Sequence, residues 1–178
     1  MIQSRAFGWA FFGVWAVWLF ALHAWIGGGG SPLTDTPARW MPDLGLVLAL
    51  SLLARAEVSD APWIALIAAF ARAAFSSEPP IVLLTGFLGI VLLALVARSA
   101  VELTGPLWRA LAALLLVFVF DLWLAFAHSM RLPVGFESVP FSVFASWPAA
   151  LSSALLALLL GPLLAHLPGL TPLRRRQW

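Results

Sequence analysis

The chain has 178 residues, of which 62% are hydrophobic and only 10% are charged. Soluble domains typically carry about 25% charged residues, so this composition excludes them and indicates a polytopic membrane protein. The net charge of +2 is not a nucleic-acid-binding footprint. The absence of cysteine excludes disulfides, thiolate metal sites and a cysteine nucleophile.

The first apolar segment covers residues 6–26 and is long enough to cross a bilayer core of roughly 30 Å. It is longer than the core of a signal peptide, and no A-x-A site precedes the glycines that follow it. We therefore predict an uncleaved helix. The run Gly27–Gly30 cannot continue that helix. We interpret it as a tolerant exterior loop, with a hinge as the alternative.

Residues 42–55 and 61–76 form two shorter apolar segments, which indicate either two complete short spans or a re-entrant pair. A re-entrant pair would place Arg55, Glu57 and Asp60 at membrane depth, at a cost of several kcal/mol. Two short spans with local thinning of the bilayer cost less and are the favoured interpretation.

Three further segments complete the prediction, at residues 80–98, 106–128 and 147–166, with the longest loop at 129–146. Continuous apolar runs are typical of helices and not of a β-barrel. The sequence therefore predicts an all-α bundle of six transmembrane helices, in which residues 1–178 form a single membrane domain.

The distribution of arginine predicts the orientation of the bundle. Six spans would put seven arginines on the side of both termini: Arg5, Arg55, Arg98, Arg109, Arg174, Arg175 and Arg176. The opposite loops hold only Arg39 and Arg131. Because cytoplasmic loops are enriched in arginine, both termini are predicted in the cytoplasm.

Asp121 lies near the middle of the 106–128 segment. An ionised carboxylate there costs at least ~2.5–3.5 kcal/mol, so it should be paired, protonated or turned to the protein interior. His128 shares its helix face, and the two residues are candidates for a proton path. The favoured interpretation is a structural carboxylate bonded to a neighbouring helix, with Arg72 as a candidate partner. Arg72 could alternatively bind an anionic ligand or extend to the interface.

Small residues recur every fourth position in the last segment, at Ala149, Ser153, Ala157 and Gly161. Such a stripe lets helix backbones approach closely, either within the bundle or against a partner's transmembrane helix. The tail Arg174–Arg176 is interpreted as a cytoplasmic basic anchor, with binding of anionic lipid or of a protein as alternatives.

No catalytic motif accompanies these residues. The histidines lack metal-ligand spacing, and the sequence has no G-x-S-x-G motif, no P-loop and no membrane-embedded pair of aspartates. We therefore predict a protein that is not an enzyme, with no metal, no cofactor and no nucleic-acid partner.

Three segments match the pattern of one bacterial family. Arg39-Trp-Met-Pro-Asp43 precedes a short leucine-rich helix, where a carboxylate suits the first turn. Leu107-Trp-Arg-Ala-Leu111 is followed by a run that ends at Asp121, and residues 147–176 combine a proline-bearing helix with a basic tail. From about residue 39 to residue 178 the chain resembles the MreD family of rod-shape-determining membrane proteins.

The third apolar segment of the chain, residues 61–76, departs from the pattern of that family. Its helix usually reads like G-F-x-x-G-x-x-x-D, whereas residues 68–75 lack both glycines and the acid and carry Arg72 instead.

The resemblance implies a non-enzymatic scaffold in the bacterial inner membrane that binds the bitopic protein MreC. Through MreC it implies association with MreB, a RodA-type glycosyltransferase and a class B penicillin-binding protein. It also implies a bundle similar to the substrate-binding subunits of energy-coupling-factor vitamin transporters. A transporter subunit with the Asp121 face lining a pocket is therefore the alternative function. Proton-coupled transport, which rests on Asp121 alone, is the weakest of the three functional hypotheses.

Overall fold

The computed structural model describes residues 2–26, 40–100, 105–131, 139–164 and 166–173. Within these ranges the chain is helical throughout, apart from the turns that join the helices. The helices are α1 (Ile2–Ile26), α2 (Leu44–Leu53), α3 (Ala61–Ala73), α4 (Pro80–Ala100), α5 (Pro106–Ser129) and α6 (Val139–Leu164). Short 3-10 helices at Val58–Asp60 and Thr171–Leu173 precede α3 and follow α6.

Four of these helices, α1, α4, α5 and α6, are long and apolar enough to cross a membrane. Large apolar side chains on them point outward, among them Phe7, Leu92 and Leu159. Soluble monomers rarely expose apolar surface on this scale, whereas contact with lipid requires it. The chain is therefore a multi-pass helical membrane protein.

The short helix α2 is enclosed by protein. Its ten residues span about 15 Å, roughly half of the hydrocarbon core. Every residue from Gly45 to Leu53 is buried, and each of the other five helices packs against α2. A helix that is apolar on all sides suits such a position. Because protein surrounds α2, its length does not have to match the thickness of the bilayer.

The helices alternate in direction, so their ends meet in two groups. We call one group the arginine-rich end, defined by Arg5, Arg55, Arg98 and Arg109. There Arg5 binds Asp60 at 2.9 Å, and Arg98 donates to the carbonyl oxygen of Leu53 at 3.0 Å. At the opposite end, the rings of Trp40 and Trp147 meet at 6.2 Å, and Arg131, in the turn after α5, binds Glu78 ahead of α4.

The start of α6 differs from the prediction. The sequence indicated a helix from residue 147, after a loop at 129–146, whereas α6 begins at Val139. Pro140 lies in the first turn, where its missing N–H has no intrahelical partner to lose. The helix then continues through Pro148 and Pro162, which transmembrane helices tolerate because neighbouring groups satisfy the freed carbonyls. Residues 132–138 of that loop lie outside the described ranges.

Smaller differences occur at other helix ends. Asp43 precedes α2 as its N-cap instead of lying in the first turn, and its carboxylate accepts a hydrogen bond from the Leu46 N–H at 2.9 Å. The helix predicted at 61–76 ends at Ala73, and the one predicted at 6–26 begins at Ile2. The glycine run, Arg39 and the basic tail fall outside the described residues.

After α6 the chain turns back along α1. The Trp15 Nε1 donates to the carbonyl oxygen of Pro168 at 3.2 Å, and Leu173 is buried against the helix. Gly169 has a φ of 86°, and a Cβ there would lie 2.2 Å from the ring of Phe11. Both constraints require glycine at this position.

Candidate functional site: a buried ion-pair cluster

Asp43 links three helices at the start of α2. Its carboxylate forms an ion pair with Arg72 from the last turn of α3. Its backbone N–H donates to the Ser153 Oγ of α6 at 2.9 Å. Beside it, the His23 Nδ1 lies 3.0 Å from the carbonyl oxygen of Pro42 and brings α1 to the same point. The N-terminus of α2 is thus held from several sides by polar contacts.

The Arg72 guanidinium is enclosed by aromatic rings. Its central carbon lies 4.7 Å from the ring centroid of Phe120 and 5.7 Å from that of Phe20. A planar guanidinium can stack on rings while it binds a carboxylate, which a lysine ammonium does less well. Arg72 therefore turns inward to Asp43 and does not extend to the interface.

Helices α4 and α5 hold Phe120 in place. Its ring contacts that of Phe87 with centroids 4.9 Å apart. One turn further along α5, the Trp123 Nε1 donates to the carbonyl oxygen of Val82 at 2.9 Å. A Cβ at Gly86 would lie 2.7 Å from the Trp123 ring, so this contact depends on the glycine. The aromatic face that receives Arg72 is therefore fixed by the packing of α4 on α5.

The cluster lies well inside the long helices. Ser153 is six residues from Trp147, and Phe120 is nine residues from the end of α5 at Ser129. At 1.5 Å per residue, these separations place Ser153 about 9 Å beyond Trp147 and Phe120 about 13 Å inside the end of α5. Charges at that depth interact strongly, because little water screens them.

Asp121 lies at the edge of this cluster and is half-buried. Among the described residues, no hydrogen bond or ion pair joins its carboxylate to another side chain. Arg72 attracts its charge and Asp43 repels it. Arg72, the predicted partner of Asp121, forms its ion pair with Asp43 instead. Two carboxylates face one guanidinium.

His128 belongs to a different group. Its side chain is exposed, and its Nδ1 lies 3.6 Å from the Glu78 Oε1, whose carboxylate also binds Arg131. About two turns of α5 separate it from Asp121. The structure does not bring the two candidates for a proton path together.

The small-residue stripe faces the interior of the bundle. Ser153 and Ala157 are fully buried, and Ala149 is partly buried. A Cβ at Gly161 would lie 2.7 Å from the Arg109 Cδ of α5 and 3.4 Å from the Ser51 Oγ of α2. The stripe therefore packs against α2 and α5 of the same chain, and these helices cover the surface that a partner's helix would use.

The pairing of Asp43 with Arg72 was not predicted from the sequence. A signal for it was present, because Asp43 precedes one helix and Arg72 ends the next. In an antiparallel hairpin those two positions face each other. The bond from the Asp43 N–H to Ser153 had no such signal, because the two residues are 110 positions apart.

The described contacts of the cluster are an ion pair, a hydrogen bond and ring contacts between helices. In the described part of the chain, no group of three or more His, Cys, Asp or Glu side chains is placed to hold a metal ion. The fold and the site define a multi-pass helical membrane protein with a buried charge cluster between its helices. No protein-family model, curated protein or solved structure matches the chain.

Proposed function

We propose that the protein is a non-enzymatic scaffold subunit of the bacterial inner membrane, similar to the MreD family. In this role it binds an MreC-like bitopic protein. Through that partner it joins the elongation machinery, which includes a RodA-type glycosyltransferase, a class B penicillin-binding protein and an MreB-like actin homologue. The bundle has six spans, with both termini in the cytoplasm.

The observation that carries this proposal is the meeting of two segments that are similar to the family. Asp43 comes from the first segment and Asp121 from the second, and the charges of both act on Arg72. Arg72 stands in the helix that departs from the family pattern, so this chain supplies a cation where two acids converge. A cluster whose charges bind helices of the same chain to one another suits a protein that presents a rigid surface.

One feature supports the orientation, and another supports the number of spans. Arg5, Arg55, Arg98 and Arg109 gather at one end of the bundle, as the positive-inside rule requires for the cytoplasmic side. The enclosure of α2 by the other helices removes the need for bilayer thinning around a short span.

The orientation has a direct test, because the chain contains no cysteine. Ser59 and Ser77 are both exposed, the first at the arginine-rich end and the second at the opposite end. We expect a membrane-impermeant maleimide to label the Ser77→Cys variant on intact spheroplasts and the Ser59→Cys variant only after lysis. The reverse pattern would refute the proposed orientation.

The scaffold function is tested by affinity purification of the full chain from native membranes in a mild detergent, followed by mass spectrometry. We expect MreC-like and RodA-like proteins to be enriched over a purification with an unrelated six-helix membrane protein as bait. Equal recovery from both baits would contradict the proposal.

One observation favours a solute-binding transporter subunit as the second candidate. The Asp121 carboxylate, which accepts no hydrogen bond from a described residue, is available for a ligand. A vitamin-type solute that raises the unfolding temperature of the purified wild type, but not that of Asp121→Asn, would establish this alternative. No shift from any solute, with recovery of the MreC-like protein, would support the scaffold.

A further inference from the structure

The Asp121 carboxyl lies deep within α5. Eight residues separate Asp121 from the end of the helix at Ser129, and fifteen separate it from the start at Pro106. At 1.5 Å per residue, these separations are about 12 Å and 22 Å, so the carboxyl lies inside the hydrocarbon layer. A charge at that depth is costly unless a partner neutralises it. The charge state of Asp121 therefore depends on the charged groups around it.

The cation that attracts Asp121 is already paired. The Arg72 guanidinium binds the Asp43 carboxylate, which also accepts the Leu46 N–H as the N-cap of α2. Asp43 in turn repels a charge on Asp121. When two carboxyls share one cation, protonation of one of them relieves the repulsion. Asp43 has the ion pair and the N-cap bond, so Asp121 is the carboxyl that takes the proton.

Among the described residues, the other helices bring no second cation to Asp121. Helix α6 contains no charged residue, and Arg98 of α4 and Arg109 of α5 lie at the arginine-rich end. His23 of α1 lies beside the start of α2 and does not act on Asp121. His128 is about two turns of α5 away and exposed. No group in the described part of the chain therefore offsets a negative charge on Asp121 beyond the shared Arg72.

We propose that Asp121 is a proton-binding site and that its side chain is a neutral carboxylic acid in the membrane. The proton comes from the water that the carboxyl leaves when α5 inserts, so no other reactant is needed. The neutral acid leaves Arg72 to Asp43, and the start of α2 keeps an undivided ion pair. This inference does not depend on a protein partner and stands apart from the scaffold function.

Infrared spectroscopy of the purified full-length chain in micelles at neutral pH tests the proposal directly. A protonated carboxyl group has a carbonyl stretching band that an ionised carboxylate lacks. We expect this band in the wild type and its loss in Asp121→Asn. Asp60→Asn is the matched control, because it removes another buried carboxyl at the arginine-rich end and should leave the band unchanged. A wild type without the band, or an undiminished band in Asp121→Asn, would overturn the proposal.

Isotope labelling gives the same answer without a substitution. Wild-type protein whose aspartates carry carbon-13 in the side-chain carboxyl should show the band at a lower frequency. Labelled glutamates should leave the band in place. A band that moves only with labelled glutamate would refute the assignment to Asp121.

The role of the cluster is tested by Asp43→Asn. This variant keeps an N-cap acceptor, but it removes the repulsion and frees Arg72 to pair with Asp121. We expect Asp121 to ionise, so that Asp43→Asn loses most of the band. Ser153→Ala is the control, because it removes the hydrogen bond at the same N–H without changing a charge and should keep the full band. A full band in Asp43→Asn would show that the cluster does not hold the proton and would overturn the proposal.

Discussion

The interior of the bundle and its arginine-rich end use the same chemistry in different surroundings. Arg72 and Asp43 pair inside the bundle, with 17% and 7% of their side chains exposed. Arg5 and Glu57 pair at the arginine-rich end, with 44% and 49% exposed. Water screens the second pair and is largely excluded from the first. The residue types therefore say little about the strength of these pairs, and burial decides it.

The two pairs also have different structural roles. The pair of Arg72 with Asp43 fixes the start of α2 against α3, and Ser153 adds α6 to the same point. Arg5 bridges the exposed Glu57 and the buried Asp60, which lie at the turn before α3. Variants of the buried cluster should therefore affect the whole bundle, and variants of the exposed pair should have local effects.

The largest effect is expected from Arg72→Met. This change leaves the buried Asp43 and the half-buried Asp121 without their cation, and the loss of one partner of a buried pair typically costs about 3–5 kcal/mol. We expect a correspondingly lower free energy of unfolding, measured by tryptophan fluorescence in a denaturant titration in micelles. Adding Asp43→Asn should recover part of the loss, since it removes one unpaired charge and keeps the N-cap. If Arg72→Met lowers the free energy of unfolding no more than Arg5→Gln does, the buried pair is not stronger than the exposed pair and the comparison fails.

Gly45→Ala should have the second largest effect. A Cβ there would lie 2.2 Å from the ring of Phe20, one of the two rings over Arg72. Displacing a packed ring costs about 1–3 kcal/mol. Gly89→Ala is the matched control, because nothing lies within 4 Å of its added Cβ. Alanine should stabilise the control helix by up to about 1 kcal/mol. Equal effects at both positions would argue against the close contact.

Asp121→Asn should change the unfolding free energy by less than about 1 kcal/mol. The substitution loses the attraction of Arg72 but also removes the repulsion of Asp43. Asp43→Ala is the matched variant and should cost more, since it breaks the ion pair and the N-cap together. A larger loss from Asp121→Asn than from Asp43→Ala would show that Asp121, and not Asp43, is the main structural partner of Arg72.

The smallest effect is expected from Arg5→Gln, at or below about 1 kcal/mol and weaker at high salt. The pH dependence should be clearer. Burial raises the pKa of Asp60 above its ordinary value, against the opposing attraction of Arg5. The folded state then holds this proton more tightly than the unfolded chain, so stability falls as the pH rises above the ordinary pKa of 3.8. Arg5→Gln should steepen that fall, and an unchanged slope would contradict the assignment.

The sequence was sufficient to predict most of the helices. Their long apolar runs indicate helices because such runs are stable in the hydrophobic core of a membrane. The predicted segments at 80–98 and 106–128 agree closely with α4 and α5. Helix α6 begins eight residues before the predicted start at residue 147 and continues through Pro148, which a transmembrane helix can contain. Local patterns therefore predict where helices exist more reliably than where they begin.

The charge cluster was harder to predict, since it depends on which helices are neighbours. Taken locally, Asp43 suits the dipole of one helix and Arg72 suits the interface at the end of another. Only the enclosure of α2 by the other helices brings both into the interior, together with Phe20 and Phe120. That enclosure depends on contacts between distant parts of the chain, which no single segment encodes.

The segment that returns along α1 after α6 has a consequence for the biogenesis of the protein. Trp15 and Pro168 are 153 positions apart, so α1 gains its last packing partner only after nearly the whole chain has been synthesised. Contacts so distant in sequence slow folding, because a large loop must close first. Until the segment after α6 has been synthesised, the surface of α1 around Gly8 and Phe11 lacks the residues that cover it in the complete structure. The packing of α1 is therefore completed only after most of the chain has been synthesised.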